Sequence, residues 1–133
     1  MWGLSLHIDL YGCCKDKITN KEVIERFAKE LVAELDMYPH GEPAIEWFGN
    51  DDTEGFTMVQ LLTTSSITAH FSLKYRSSAY IDIFSCKEYN AGNIVMFCAR
   101  YFDATLYEST AIIRGSTKHG PKRTKSVLEK NPA

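Results

Sequence analysis

The amino-acid sequence predicts an α+β fold: a two-layer sandwich in which a mostly antiparallel sheet carries two helices on one face. Three observations predict it. Short runs of alternating or dense apolar character recur along the chain, as strands require. Two longer segments carry apolar residues at helical spacing. Their order, β-α-β-β-β-β-α-β, places helices between antiparallel runs, which suggests two layers with both helices on one side of the sheet.

The elements follow in order. Leu4, Leu6, Ile8 and Leu10 alternate with Ser5, His7 and Asp9, predicting a half-buried strand over 3–11 that Gly12 ends. Thr19 or Asn20 caps a helix running to about Leu35, with Val23, Ile24, Phe27, Leu31 and Leu35 as its apolar stripe. Lys21, Glu22, Glu25, Lys29 and Glu30 are its wet side. Pro39, Gly41 and Pro43 break the chain before a short apolar strand, Ala44 to Phe48, and residues 49–55 form a turn. Strands are then expected at 56–62, 66–73 and 79–84, the last two separated by a polar turn at Arg76-Ser77-Ser78. A second helix is expected over 88–102, burying Ile94, Phe97, Cys98, Tyr101 and Phe102, and a last strand over 105–113.

With 133 residues the chain is long enough for one domain with its own core. That domain is expected over residues 1–115, followed by a basic, mobile tail over 116–133, where Val127 and Leu128 allow at most a weak terminal turn. From Arg114 onward there are 6 basic residues and 1 acidic, which leaves the body acidic and argues against nucleic-acid binding. No apolar run reaches the ~20 residues of a membrane span, and the first residues lack the basic start of a signal peptide. Cys13, Cys14, Cys86 and Cys98 form no CxxC pair and no zinc spacing, so reduced thiols in a cytoplasmic protein without a metal are expected.

Few residues stand out for chemistry. Thr63-Thr64-Ser65-Ser66-Ile67-Thr68-Ala69-His70 is a hydroxyl-rich run ending in a histidine, and Cys86 follows a strand. By residue type alone, the hydroxyls are turn and strand chemistry, His70 a polar-face residue and Cys86 a small apolar filler. No glycine-rich phosphate loop, HExxH or paired-carboxylate motif competes with them. The residues themselves say only that a serine, a histidine and a cysteine could converge.

Three stretches carry a resemblance: Leu10-Tyr11-Gly12-Cys13, Ser65-Ser66-Ile67-Thr68-Ala69-His70, and Tyr80-Ile81-Asp82-Ile83-Phe84-Ser85-Cys86. Together, in this order, they resemble the signature stretches of the prokaryotic pyruvoyl-dependent S-adenosylmethionine decarboxylase proenzymes, over roughly residues 3–114. The resemblance implies that Ser65 attacks the carbonyl of Thr64, and that elimination and hydrolysis leave a pyruvoyl group at the start of residues 65–133. That ketone would form a Schiff base with S-adenosylmethionine and act as an electron sink for loss of carbon dioxide, giving the aminopropyl donor of spermidine synthesis. It further implies His70 and Thr57 as aids to self-cleavage, Cys86 as proton donor, and Phe48, or Trp47 beside it, as the ring that stacks on adenine. A homodimer of processed protomers is the implied assembly.

The chain also departs from the family pattern. Thr64 replaces a glutamate, Ser66 a histidine and Thr57 a serine, and Lys74 stands where a glutamate would hold the ribose hydroxyls. The exchange at Lys74 keeps two other readings open: a pyruvoyl decarboxylase of arginine or ornithine, or a non-processing regulatory homologue.

Overall fold

A computed structural model of the protein describes residues 2–115, 122–125 and 129–130. The expected α+β architecture is present. Strands β1 (Gly3–Tyr11), β2 (Ala44–Phe48), β3 (Gly55–Leu62), β4 (Ser65–Ser72), β5 (Ser78–Ser85) and β6 (Leu106–Arg114) form the body of one antiparallel sheet. Helices α2 (Lys21–Glu34) and α3 (Ala91–Tyr101) cover one of its faces. Spatial order is β2-β3-β4-β5-β1-β6, so the first strand is inserted between the fifth and the sixth.

Three short elements are additional to those expected. Helix α1 (Lys15–Ile18) is a single turn that buries only Ile18, too little apolar pattern for its sequence to announce it. Strands β7 (Lys122–Lys125) and β8 (Glu129–Lys130) both pair with β6. Val127 and Leu128 lie outside the described residues.

Local chemistry sets the boundaries. The Asn20 side chain accepts hydrogen bonds from the amides of Glu22 and Val23 at the start of α2. Asn90 does the same for Asn93, which is why the second helix starts at Ala91 rather than at 88. Gly12 ends β1 at φ +65, where a Cβ would lie 2.1 Å from the Thr105 hydroxyl. At Gly55 a Cβ would lie 1.7 Å from the Phe71 carbonyl oxygen, so only glycine lets β3 and β4 approach there.

One hydrophobic core lies between the layers. Leu6, Ile8, Leu10, Met58, Ile67, Ala69, Ile81 and Ile83 face Ile24, Phe27, Leu31, Ile94 and Cys98. Phe27 is its hub, with the Phe102 ring edge-on at 4.6 Å and Tyr101 at 5.1 Å. The opposite sheet face is open. Two classes of side chain line it: Val59, Leu61, Phe84 and Ile112 toward one end, and Thr57, His70, Tyr80 and Asp9 toward the other.

Candidate active site

Strands β3, β4 and β5 place the candidate residues, because their turns fix which residues stand opposite one another. Leu62 pairs with Ser65, so Thr63 and Thr64 are the two turn residues of a tight hairpin. Thr64 sits at φ 59, in the left-handed region that a β-branched side chain resists. Such a conformation costs of order 1–3 kcal/mol and persists only where its surroundings enforce it. The peptide joining Thr64 to Ser65 is thus bordered by strained backbone.

Ser65 pairs with Ser85, and the two hydroxyls are 3.1 Å apart. Cys86 follows at the end of β5, with its thiol 2.8 Å from the Thr64 hydroxyl. The Thr64 hydroxyl also donates to the Thr63 carbonyl at 2.6 Å. Thr64, Ser65, Ser85 and Cys86 therefore form one compact cluster at the hairpin end of the sheet. The other thiols have different settings: burial pushes Cys13 up to about 12 and Cys98 higher still, while Cys86 is exposed.

His70 is elsewhere. Five residues along β4 carry it about 17 Å from Ser65, and the odd separation puts it on the opposite sheet face. There its Nδ1 lies 3.1 Å from the Thr57 hydroxyl, directly across the β3–β4 ladder. Phe48 is on the same open face, 59% exposed. Trp47 points to the other side and packs edge-on against Phe56 at 4.9 Å. The sheet thus unites Ser65 with Cys86, and Thr57 with His70, but not the two pairs with each other.

Beside His70 is a cavity of about 350 Å³, lined by Asp52, Thr53, Phe71, Ser72, Tyr75 and Tyr80 as well as the histidine. Lys74 borders this region with its amine 3.0 Å from Glu54. That hydrogen bond, with the nearby charges of Asp52 and Asp51, holds the ammonium group above its usual range. The Ser72 hydroxyl donates to the Asp52 carbonyl and so ties the turn over 51–54 to β4. Among the described residues, no three histidine, cysteine or acidic side chains converge as a metal group.

Ser85 is the residue the sequence did not point to. Its signal was its place opposite Ser65, which becomes visible only once the β4–β5 register is known.

A small α+β sheet protein in which a strained turn precedes a serine and abuts a cysteine defines a class of candidate self-cleaving proenzyme. Comparison with known proteins agrees with that class. The profile of the S-adenosylmethionine decarboxylase family matches residues 4–115. Proteins named S-adenosylmethionine decarboxylase proenzyme from Clostridium botulinum strains Langeland and Hall are each 30% identical to it over 116 residues, covering 85% of this chain and 94% of theirs. The crystal structure of the adenosylmethionine decarboxylase from Aquifex aeolicus VF5 shares the fold, with a TM-score of 0.69 at 21% identity, covering 88% of this chain and 93% of that one. This chain belongs to the S-adenosylmethionine decarboxylase family.

Proposed function

We propose that the chain is a proenzyme that cuts itself between Thr64 and Ser65 and then decarboxylates S-adenosylmethionine. The observation that carries this reading is the hairpin turn: strained Thr64, then a serine at the first position of a strand, with the Cys86 thiol in contact. Ser65 Oγ attacks the Thr64 carbonyl carbon; the C–O ester bond forms, the C–N bond breaks, and the hydroxyl proton ends on the Ser65 nitrogen. Loss of the Ser65 α-proton then expels Thr64 as a carboxylate, and hydrolysis of the resulting enamine as its imine releases ammonia and leaves a ketone. The residues fit this group: only a β-hydroxyl or thiol can form the ester and then be eliminated. A pyruvoyl ketone supplies the electron sink for decarboxylation.

The chain's own residues divide the remaining work. Cys86, exposed at the same rim, returns a proton to substrate carbon. Phe48 offers a ring face to adenine from the side of the sheet that carries Thr57 and His70. The cavity beside His70 supplies Asp52 as an acceptor for sugar hydroxyls, a task that Lys74, paired with Glu54, does not perform.

A second copy is part of this reading. His70 lies too far from Ser65 within one protomer to assist its cleavage, and the open sheet face carries the exposed apolar side chains Val59 and Leu61. A two-fold dimer that packs these faces would set the Ser65–Cys86 end of one copy against the Thr57–His70 end of the other. A cytoplasmic location belongs to the same proposal; among the described residues no helix is long and apolar enough to cross a membrane.

Mass measurement of the purified protein tests the reading. Two fragments divided at Thr64–Ser65, the second beginning with a pyruvoyl group, and carbon dioxide release from S-adenosylmethionine are expected. Release from arginine or ornithine alone would replace the substrate. A whole chain without activity would make it a regulatory homologue.

A further inference from the structure

The geometry assigns Ser85 as the positioning residue for self-cleavage, the group that holds the Ser65 hydroxyl ready to attack the Thr64 carbonyl. The inference rests on the cleavage reading above and adds a residue to it.

Ser85 is completely buried, yet it is polar and sits at the last position of β5. Two donors converge on its oxygen. The Ser65 hydroxyl donates from 3.1 Å and the Lys87 amide from 2.9 Å. Burial matters here, because the acceptor oxygen of Ser85 is shielded from water even though Ser65 is only half-buried, and the bond is stronger than one between two exposed groups. With that proton directed at Ser85, the lone pairs of Ser65 Oγ are free to turn toward the carbonyl carbon. The Ser65 side chain thereby gives up rotamer freedom before the reaction, and orientation of this kind is a large part of the advantage of an intramolecular attack.

The second donor says what holds Ser85 itself. The Lys87 amide comes from the turn that carries Cys86, and the Lys87 ammonium group in turn binds the carbonyl and carboxylate of Asp36, just beyond α2. Asp36 is itself left-handed, at φ 53. A chain of contacts thus runs from the helical layer through Lys87 and Ser85 to Ser65. Ser85 takes no proton permanently: the hydroxyl proton of Ser65 is delivered to the Ser65 nitrogen as the amide becomes an ester, and Ser85 is regenerated unchanged.

The test follows chain cleavage by mass over time in freshly made wild-type, Ser85→Ala and Ser85→Thr proteins, with circular dichroism to check folding. Hydroxylamine, which intercepts the ester, isolates the first step in each. Expected is at least tenfold slower cleavage in Ser85→Ala, with equally slowed hydroxylamine cutting, and recovery in Ser85→Thr, which restores the hydroxyl. A purely structural serine would lower the denaturation midpoint without slowing the hydroxylamine reaction, and that result overturns the assignment. So does a folded Ser85→Ala protein that cleaves at the wild-type rate. If the wild-type chain itself stays whole, the cleavage reading falls and this inference with it.

Discussion

The two ends of strands β3, β4 and β5 differ in kind. The hairpin end holds a strained turn, two facing serines and a thiol, packed by short hydrogen bonds. The other end holds an imidazole, an ion pair and a cavity of about 350 Å³. On the proposed reading, one end carries the serine that reacts with its own backbone, and the other carries the cavity beside His70. On that reading, self-cleavage and recognition of the adenosine lie at opposite ends of a single sheet, and the proposed two-fold dimer joins them.

The comparison can be broken most severely at Ser65. Ser65→Ala is expected to leave one uncut chain and no carbon dioxide release, read by mass and by decarboxylation assay. Next comes Cys86→Ala, which should still cleave but turn over ~10²–10⁴-fold more slowly. Cleavage lost along with turnover would move Cys86 into the self-processing step.

Segregation itself is tested by mixing. His70→Ala and Ser65→Ala proteins, each inactive alone, are expected to form mixed dimers with about half of a normal dimer's activity when refolded together, since one of the two shared sites of each mixed dimer is then intact. Under random pairing the whole mixture is expected to show about a quarter. Absence of recovery, with mixed dimers demonstrated by mass, would return both residues to one protomer.

Smaller effects probe the cavity end. Asp52→Asn should raise KM for S-adenosylmethionine about fivefold, roughly 1 kcal/mol, with cleavage of the chain unaltered. The smallest effect concerns Asp9 on the open face. Burial, then the Glu108 and Asp82 carboxylates, holds its carboxyl above the ordinary 3.8, while His7 opposes them. A raised carboxyl makes ionisation cost stability: the cost is full above the folded-state pKa and is relieved as pH falls through it. Asp9→Asn should therefore raise the urea midpoint at neutral pH, by an amount that shrinks on acidification toward about pH 4.

Much of the fold was legible because both periods were clean. Leu4 to Leu10 alternated over a whole strand, with Leu6, Ile8 and Leu10 buried and Leu4 half-buried, and Ile24, Phe27 and Leu31 marked one buried face of α2. Helix α1 was not legible, since one buried residue makes no period. For the site, the residue types were visible but their grouping was not. Ser65 and His70 are close in sequence, which suggests convergence, whereas a strand's period of two puts an odd spacing on opposite faces. Parity was thus a signal available in the sequence. The contacts of Ser85 and of Lys74 with Glu54 needed the register between segments, which no local pattern encodes.

The position of β1 has a consequence for the cut molecule. Severing Thr64 from Ser65 leaves β1, β2 and β3 on the first fragment and β4, β5 and β6 on the second, yet β1 lies between β5 and β6. The fragments are therefore interleaved, not laid side by side. Neither could keep its own portion of the sheet alone, because removing the first would tear a central strand from the second. Heat or urea must release both at once, after which reassembly becomes a second-order encounter between two peptides. The uncut Ser65→Ala protein should refold at a rate independent of dilution up to the point of dimerisation, whereas the cut protein should refold more slowly the more it is diluted.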